Sequence, residues 1–177
     1  MPGHELDAFI ATWEHEAQNT ARLLRALPAA QYDFRPDPAG RSLGELAWHL
    51  AEIDGYAGHG VTVGKFDFNE KIPGLERPRA IGALAPGYEK VHADALARVR
   101  ALKEEDLKRT VPFFDGTPMS IGSILWNVLL HHMIHHRGQL SLMCRLAGGK
   151  SPGIYGPNRE DMAAMMERMK GQSGSGG

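Results

Sequence analysis

The chain has 177 residues, 42% apolar and 23% charged, which is the usage of an ordinary folded domain and excludes a disordered or fibrous protein. Twenty Lys and Arg against 21 Asp and Glu leave a formal charge of −1 and no basic run, so nucleic acid is not the expected partner. Cys144 is the only cysteine, which excludes an internal disulfide and a thiolate cage for zinc; any bound metal must rest on imidazole and carboxylate.

In chain order, "MPGHELDAF" lacks the basic and apolar regions of a secretory leader, and a cytoplasmic location is the expectation. From Leu6 to Leu27, Leu6, Phe9, Ile10, Trp13, Ala17, Leu24 and Leu27 recur at helical spacings, which predicts one amphipathic helix ended by Pro28. The Pro-bearing "YDFRPDPAGR" then reads as a loop. Ser42 and Glu45 of "SLGE" form a capping box that opens a second helix, with Leu43, Leu46, Leu50, Ile53 and Ala57 as its buried stripe. Glycines from Gly55 to Gly64 weaken the end of that helix, and "KFDFNEKIPGLERPR" reads as a long surface loop.

A third helix is predicted over Ile81 to Leu102, with Pro86 in its first turn or at its start. The fourth begins near Ser120 and runs to Leu146, stopped by Gly148 and Gly149. Its longest apolar run, "ILWNVLL", is far short of the roughly 20 residues that span a bilayer, so no membrane segment is expected. A short Met-rich helix from about Glu160 to Lys170 follows, and then a flexible Gly/Ser tail, 171–177. "SLGELAWHLA" and "SIGSILWNVL" align at Ser, Gly, an aliphatic and Trp, a weak echo compatible with a two-fold repeat of helix pairs. No strand alternation appears anywhere. The expectation is an all-α four-helix bundle over 1–170 with a short extra C-terminal helix, the long second-to-third connection allowing a crossover.

Nine histidines are spread over the chain, and "HHMIHH" puts four of them into six residues of the fourth helix. His131 with His135, and His132 with His136, are each i, i+4 pairs on one helix face, and either pair can chelate a divalent ion. Four imidazoles flanked by apolar residues are costly to bury unless something binds them. The first pair continues Ile124 and Val128, the second Leu125 and Leu129, so periodicity does not choose between them. His49, mid-helix beside Leu46 and Ile53, is the best third ligand; His4, His15, His59 and His92 lie at a terminus, on polar faces or near glycines. A ferritin-like two-metal site is set aside, because it needs two Glu-x-x-His units and only "EKVH" fits.

A capped "SLGELAWHLAE", followed later by "HHRGQ" and then "IYGPN", resembles the DinB family of metal-dependent enzymes, which includes thiol-dependent S-transferases. The resemblance covers nearly the whole chain. It implies a four-helix bundle, often dimeric, with a divalent metal, zinc or nickel, held by His49, His132 and His136. Related isomerases carry a carboxylate in the triad, and three histidines here argue against isomerisation. Arg137 and Gln139 are candidates for supporting hydrogen bonds or for packing, and a buried Arg137 would demand a carboxylate partner. Tyr155 and Asn158 either close the pocket or build a turn, the turn being favoured.

Transfer of a low-molecular-weight thiol to a small electrophile is the first reading that the resemblance supports. Metal-dependent hydrolysis of a small substrate is the second, and a non-enzymatic dimeric metal-binding stress-response protein stays open because no general base is evident.

Overall fold

The computed structural model describes residues 5–67 and 69–173; His4 and the last four residues of the expected tail lie outside them. The architecture is the expected four-helix bundle. Helix α1 spans Glu5–Arg25, α2 Leu43–Val63 and α3 Ile81–Arg100. The fourth rod is continuous but composite: one α turn (α4, Ile121–Ser123), a π-helical segment (Ile124–His131) and α5 (His132–Leu146). Helix α6, Arg159–Ser173, runs three residues past the expected end, into what the sequence suggested was tail.

The predicted capping box opens α2. Ser42 Oγ accepts from the Glu45 amide at 3.3 Å while the Ser42 amide donates to Glu45 Oε2 at 2.8 Å, so two otherwise orphaned donors are satisfied. Ser120 Oγ likewise accepts from the Ser123 amide and opens the fourth rod. The two tryptophans of the echoing motifs part company, however: Trp48 is buried with its indole N–H on the Leu75 carbonyl, and Trp126 is half-buried edge-on to Phe9.

Helix α2 packs chiefly against α3 on one side and the fourth rod on the other, while α1 packs chiefly against α3. Helices α1 and α2 therefore stand diagonally. The diagonal crossings lie in the first connection, 26–42, and in the third, 101–120, and not in the second as the sequence suggested. The core is the expected apolar set, among it Phe9, Trp13, Leu24, Leu43, Leu50, Leu84, Tyr88, Leu125 and Leu140.

Three local expectations fail for identifiable reasons. Helix α2 persists through its glycines because Gly58 lies against α3, where a Cβ would meet the Ala95 Cβ at 2.8 Å; close packing outweighs the entropic cost. Pro86 falls in the second turn of α3, where its missing N–H frees the carbonyl of Gly82, an exposed residue whose carbonyl is open to solvent. Between α3 and the fourth rod, where no strand was expected, a 3₁₀ turn (Glu104–Lys108) leads into a hairpin of β1 (Thr110–Pro112) and β2 (Pro118–Ser120). Its register pairs Val111 with Met119. Three-residue strands are too short to show a period of two.

Candidate metal centre

The π segment decides which face of the fourth rod looks where. A wider turn shifts every later residue by about one position, or roughly 100° on the helical wheel. Ile124, Leu125, Leu129 and Leu130 are buried before the junction, and Met133, Arg137, Leu140 and Cys144 after it. His132 and His136 therefore stand beside the buried stripe rather than continuing it. They are half-buried at the edge of the core, facing a cavity of about 600 Å³ between the fourth rod and α2. Across that cavity stands His49 of α2, its side chain 15% exposed.

The three rings converge. Ring centroids lie 4.5 Å apart for His132 and His136, 4.8 Å for His49 and His136, and 5.5 Å for His49 and His132. One nitrogen from each lies within 4.8 Å of the others. Nε2 of His136 is 2.8 Å from Nε2 of His132. The opposite nitrogens are already committed. His49 Nδ1 donates to Glu52 Oε2 at 3.1 Å, and Glu52 is itself fixed by Arg77 Nη2 at 2.9 Å. His136 Nδ1 donates to Gln139 Oε1 at 2.7 Å, and the Gln139 amide donates onward to His135 Nε2 at 3.1 Å, which sets its orientation. His132 donates to the Val128 carbonyl.

Each ring is thereby held in the tautomer that leaves a lone pair facing the other two, the pattern of imidazoles that ligate a metal. Burial, with the facing imidazoles added, lowers the pKa of His132 below its ordinary value. Burial likewise brings His136 down to about 4, against the raising effect of its hydrogen bond to Gln139. Both rings are neutral at pH 7, the state in which imidazole coordinates. Two facing lone pairs at 2.8 Å repel unless a proton or cation lies between them, so the donor set fits a divalent ion.

The other histidines are placed elsewhere. His131 is exposed and bonded to Asn127 Oδ1, and His135 is exposed on Gln139, so the alternative pair does not face α2. His59 meets Glu70, and His15 is exposed. His92 bonds through Nδ1 to the fully buried Asp54, which also accepts from the Trp13 indole. Glu52 and Gln139 each sit three residues after the imidazole they hold, a helical spacing through which the sequence could have revealed the whole support.

Arg137 turns inward, away from the cavity. At 1% exposure its guanidinium is buried among α1 groups, donating to the Glu16 carbonyl at 2.8 Å, to the Glu16 carboxylate and to the Tyr155 hydroxyl. Tyr155 in turn donates to Glu16 Oε2 at 2.7 Å. The carboxylate partner demanded of a buried Arg137 is thus Glu16, and Tyr155 clasps that pair instead of closing the cavity. Asn158 caps the start of α6, accepting from the Asp161 amide, and holds the Ser151 carbonyl, as the turn reading expected.

The cavity wall was not anticipated. Phe66, from the loop after α2, and Phe113 and Phe114, from the hairpin turn, form a mutually packed aromatic group with centroids 4.8 to 5.3 Å apart. Phe66 folds back against α2 only because residue 60 is glycine: a Cβ there would lie 2.4 Å from its ring.

A model of the DinB family matches residues 1–172. The uncharacterized protein YrdA of Bacillus subtilis is 34% identical over 163 residues, covering 89% of this chain and 92% of that protein. Among solved structures, a DinB-like protein from Bacillus cereus superposes with a TM-score of 0.70 at 28% identity, over 84% of this chain and 97% of that one. The DinB-like protein YjoA of Bacillus subtilis gives a TM-score of 0.69 at 18% identity, over 85% and 99%, a likeness of fold.

Proposed function

The chain belongs to the DinB family, and from that premise we propose that His49, His132 and His136 hold one divalent ion, zinc or nickel, beside which a low-molecular-weight thiol is transferred to a small electrophile. The observation that carries this reading is the convergence of three imidazoles, their other nitrogens committed, on a cavity large enough for a small molecule. A divalent ion at such a site favours thiolate over thiol near neutral pH.

The chain's own contribution is orientation and exclusion of water. Glu52, Gln139 and the Val128 carbonyl fix the rings, and the phenyl wall lines one part of the cavity with apolar surface that disfavours water. In the transfer, sulfur forms a bond to the electrophilic carbon and the leaving group departs with its bonding pair. The thiol proton passes to solvent.

Cobalt-loaded protein tests this directly. A physiological small thiol should produce a sulfur-to-metal charge-transfer band that His49→Ala lacks, and turnover of a chloro-substituted aromatic probe should follow the same thiol saturation. Neither band nor turnover would overturn the transfer reading. The supporting bonds give a graded prediction: Glu52→Ala and Gln139→Ala should each weaken zinc affinity by about 10- to 100-fold, measured by competition with a chromogenic chelator.

A further inference from the structure

Among the described residues the cavity joins one cation on its rim to phenyls on its wall, and the pair bears on which electrophile it would admit. Arg41, the residue before the Ser42 cap, lines the cavity and lies near enough to His132 for its charge to be felt there. Among the described residues it has no ion-pair or hydrogen-bond partner, although the carboxylates of Glu45 and Glu52 follow closely in the chain. Those carboxylates are engaged: Glu45 with Arg35, and Glu52 with Arg77 and His49. The rim therefore carries one uncompensated positive charge, on a guanidinium whose geometry suits a carboxylate or sulfonate.

In the same cavity, Phe66, Phe113 and Phe114 present aromatic surface. The body of a low-molecular-weight thiol is polar, and laying it against phenyl rings would cost its hydration without repayment. The wall suits the other reactant. Resting on the transfer reading above, we infer that the electrophile is an aromatic or branched-aliphatic molecule bearing a single anionic group, its apolar body on Phe66, Phe113 and Phe114 and its anion on Arg41. An anion at the rim leaves the imidazole centre free for the thiol.

Naphthalene-2-sulfonate and naphthalene-2-methanol, titrated calorimetrically into metal-stripped and zinc-loaded protein, separate the parts of this inference. Sulfonate is a poor metal ligand, so its affinity reports Arg41 and not the ion. The sulfonate should bind roughly fivefold or more tightly than the alcohol. Arg41→Gln, at an exposed position that leaves the core untouched, should erase that preference without weakening the alcohol. Phe113→Ala should weaken both probes by about tenfold. Equal affinities in the unaltered protein, a preference that survives Arg41→Gln, or no binding of either probe would overturn the inference. Because the probes are read without thiol, and in metal-stripped as well as zinc-loaded protein, a missing cobalt–thiolate band would sink the transfer reading while leaving this result standing.

Discussion

Alanine at His49, His132 or His136 should abolish tight binding of a divalent ion, whereas alanine at His131 or His135 should leave it in place. Loss of a supporting hydrogen bond around a metal costs about 10- to 100-fold in affinity, and loss of a ligand from a three-imidazole set must cost more. His131 is exposed and tied to Asn127; His135 touches the centre only through Gln139, so its replacement should act as a weak outer change. Zinc titration of untagged protein in competition with a chelator measures all five variants on one scale, and the unaltered chain should take up one ion. The reverse pattern, with His131 and His135 essential, would mean that the rod presents its other face.

Breaking the buried ion pair should produce the largest loss of stability. Arg137→Met leaves the Glu16 carboxylate, itself 5% exposed, without its cation in the core, a change worth about 3–5 kcal/mol. In a domain of this length that lowers Tm by roughly 6 to 20 °C. Adding Glu16→Leu to Arg137→Met should recover much of the loss, because the orphaned charge goes with it. Burial raises the Glu16 pKa, but the hydrogen bonds from Tyr155 and Arg137 and the guanidinium charge outweigh it and hold the carboxyl below its ordinary 4.5. The stabilisation from that lowered value is complete above pH 4.5 and drains away as pH falls further, where the unfolded chain takes up the proton first. Thermal melts of metal-stripped protein from pH 7 to pH 3 should therefore show the gap between Arg137→Met and the unaltered chain narrowing on acidification. A gap below 1 kcal/mol at pH 7 would mean that the pair is not buried in solution.

The long helices were legible because each carries a full apolar stripe and two open on a serine cap, signals that belong to the local chain. The choice between the two histidine pairs was not, since the residues before and after the π junction do not share one wheel; a family resemblance separated them where periodicity could not. Arg137 shows the boundary well. That it would need a carboxylate followed from burial and charge alone, but nothing local to either residue could name Glu16, 121 positions away. The aromatic wall was hidden for a related reason: Phe66, Phe113 and Phe114 belong to segments without periodicity and meet only through the tertiary fold.

The cavity thus has two kinds of boundary with different costs of change. Its imidazoles stand on rods that also supply the core, where a misplaced methylene is felt throughout. Its phenyl wall comes from a loop and a three-residue hairpin, where Phe66, Phe113 and Phe114 are only partly buried. Selection can therefore redraw what the cavity accepts by exchanging a few loop side chains while the rods and their histidines stay fixed. Such a scaffold is suited to diversification: the proposed metal centre can be inherited unchanged while the choice of molecule is rewritten between lineages at little expense in folding.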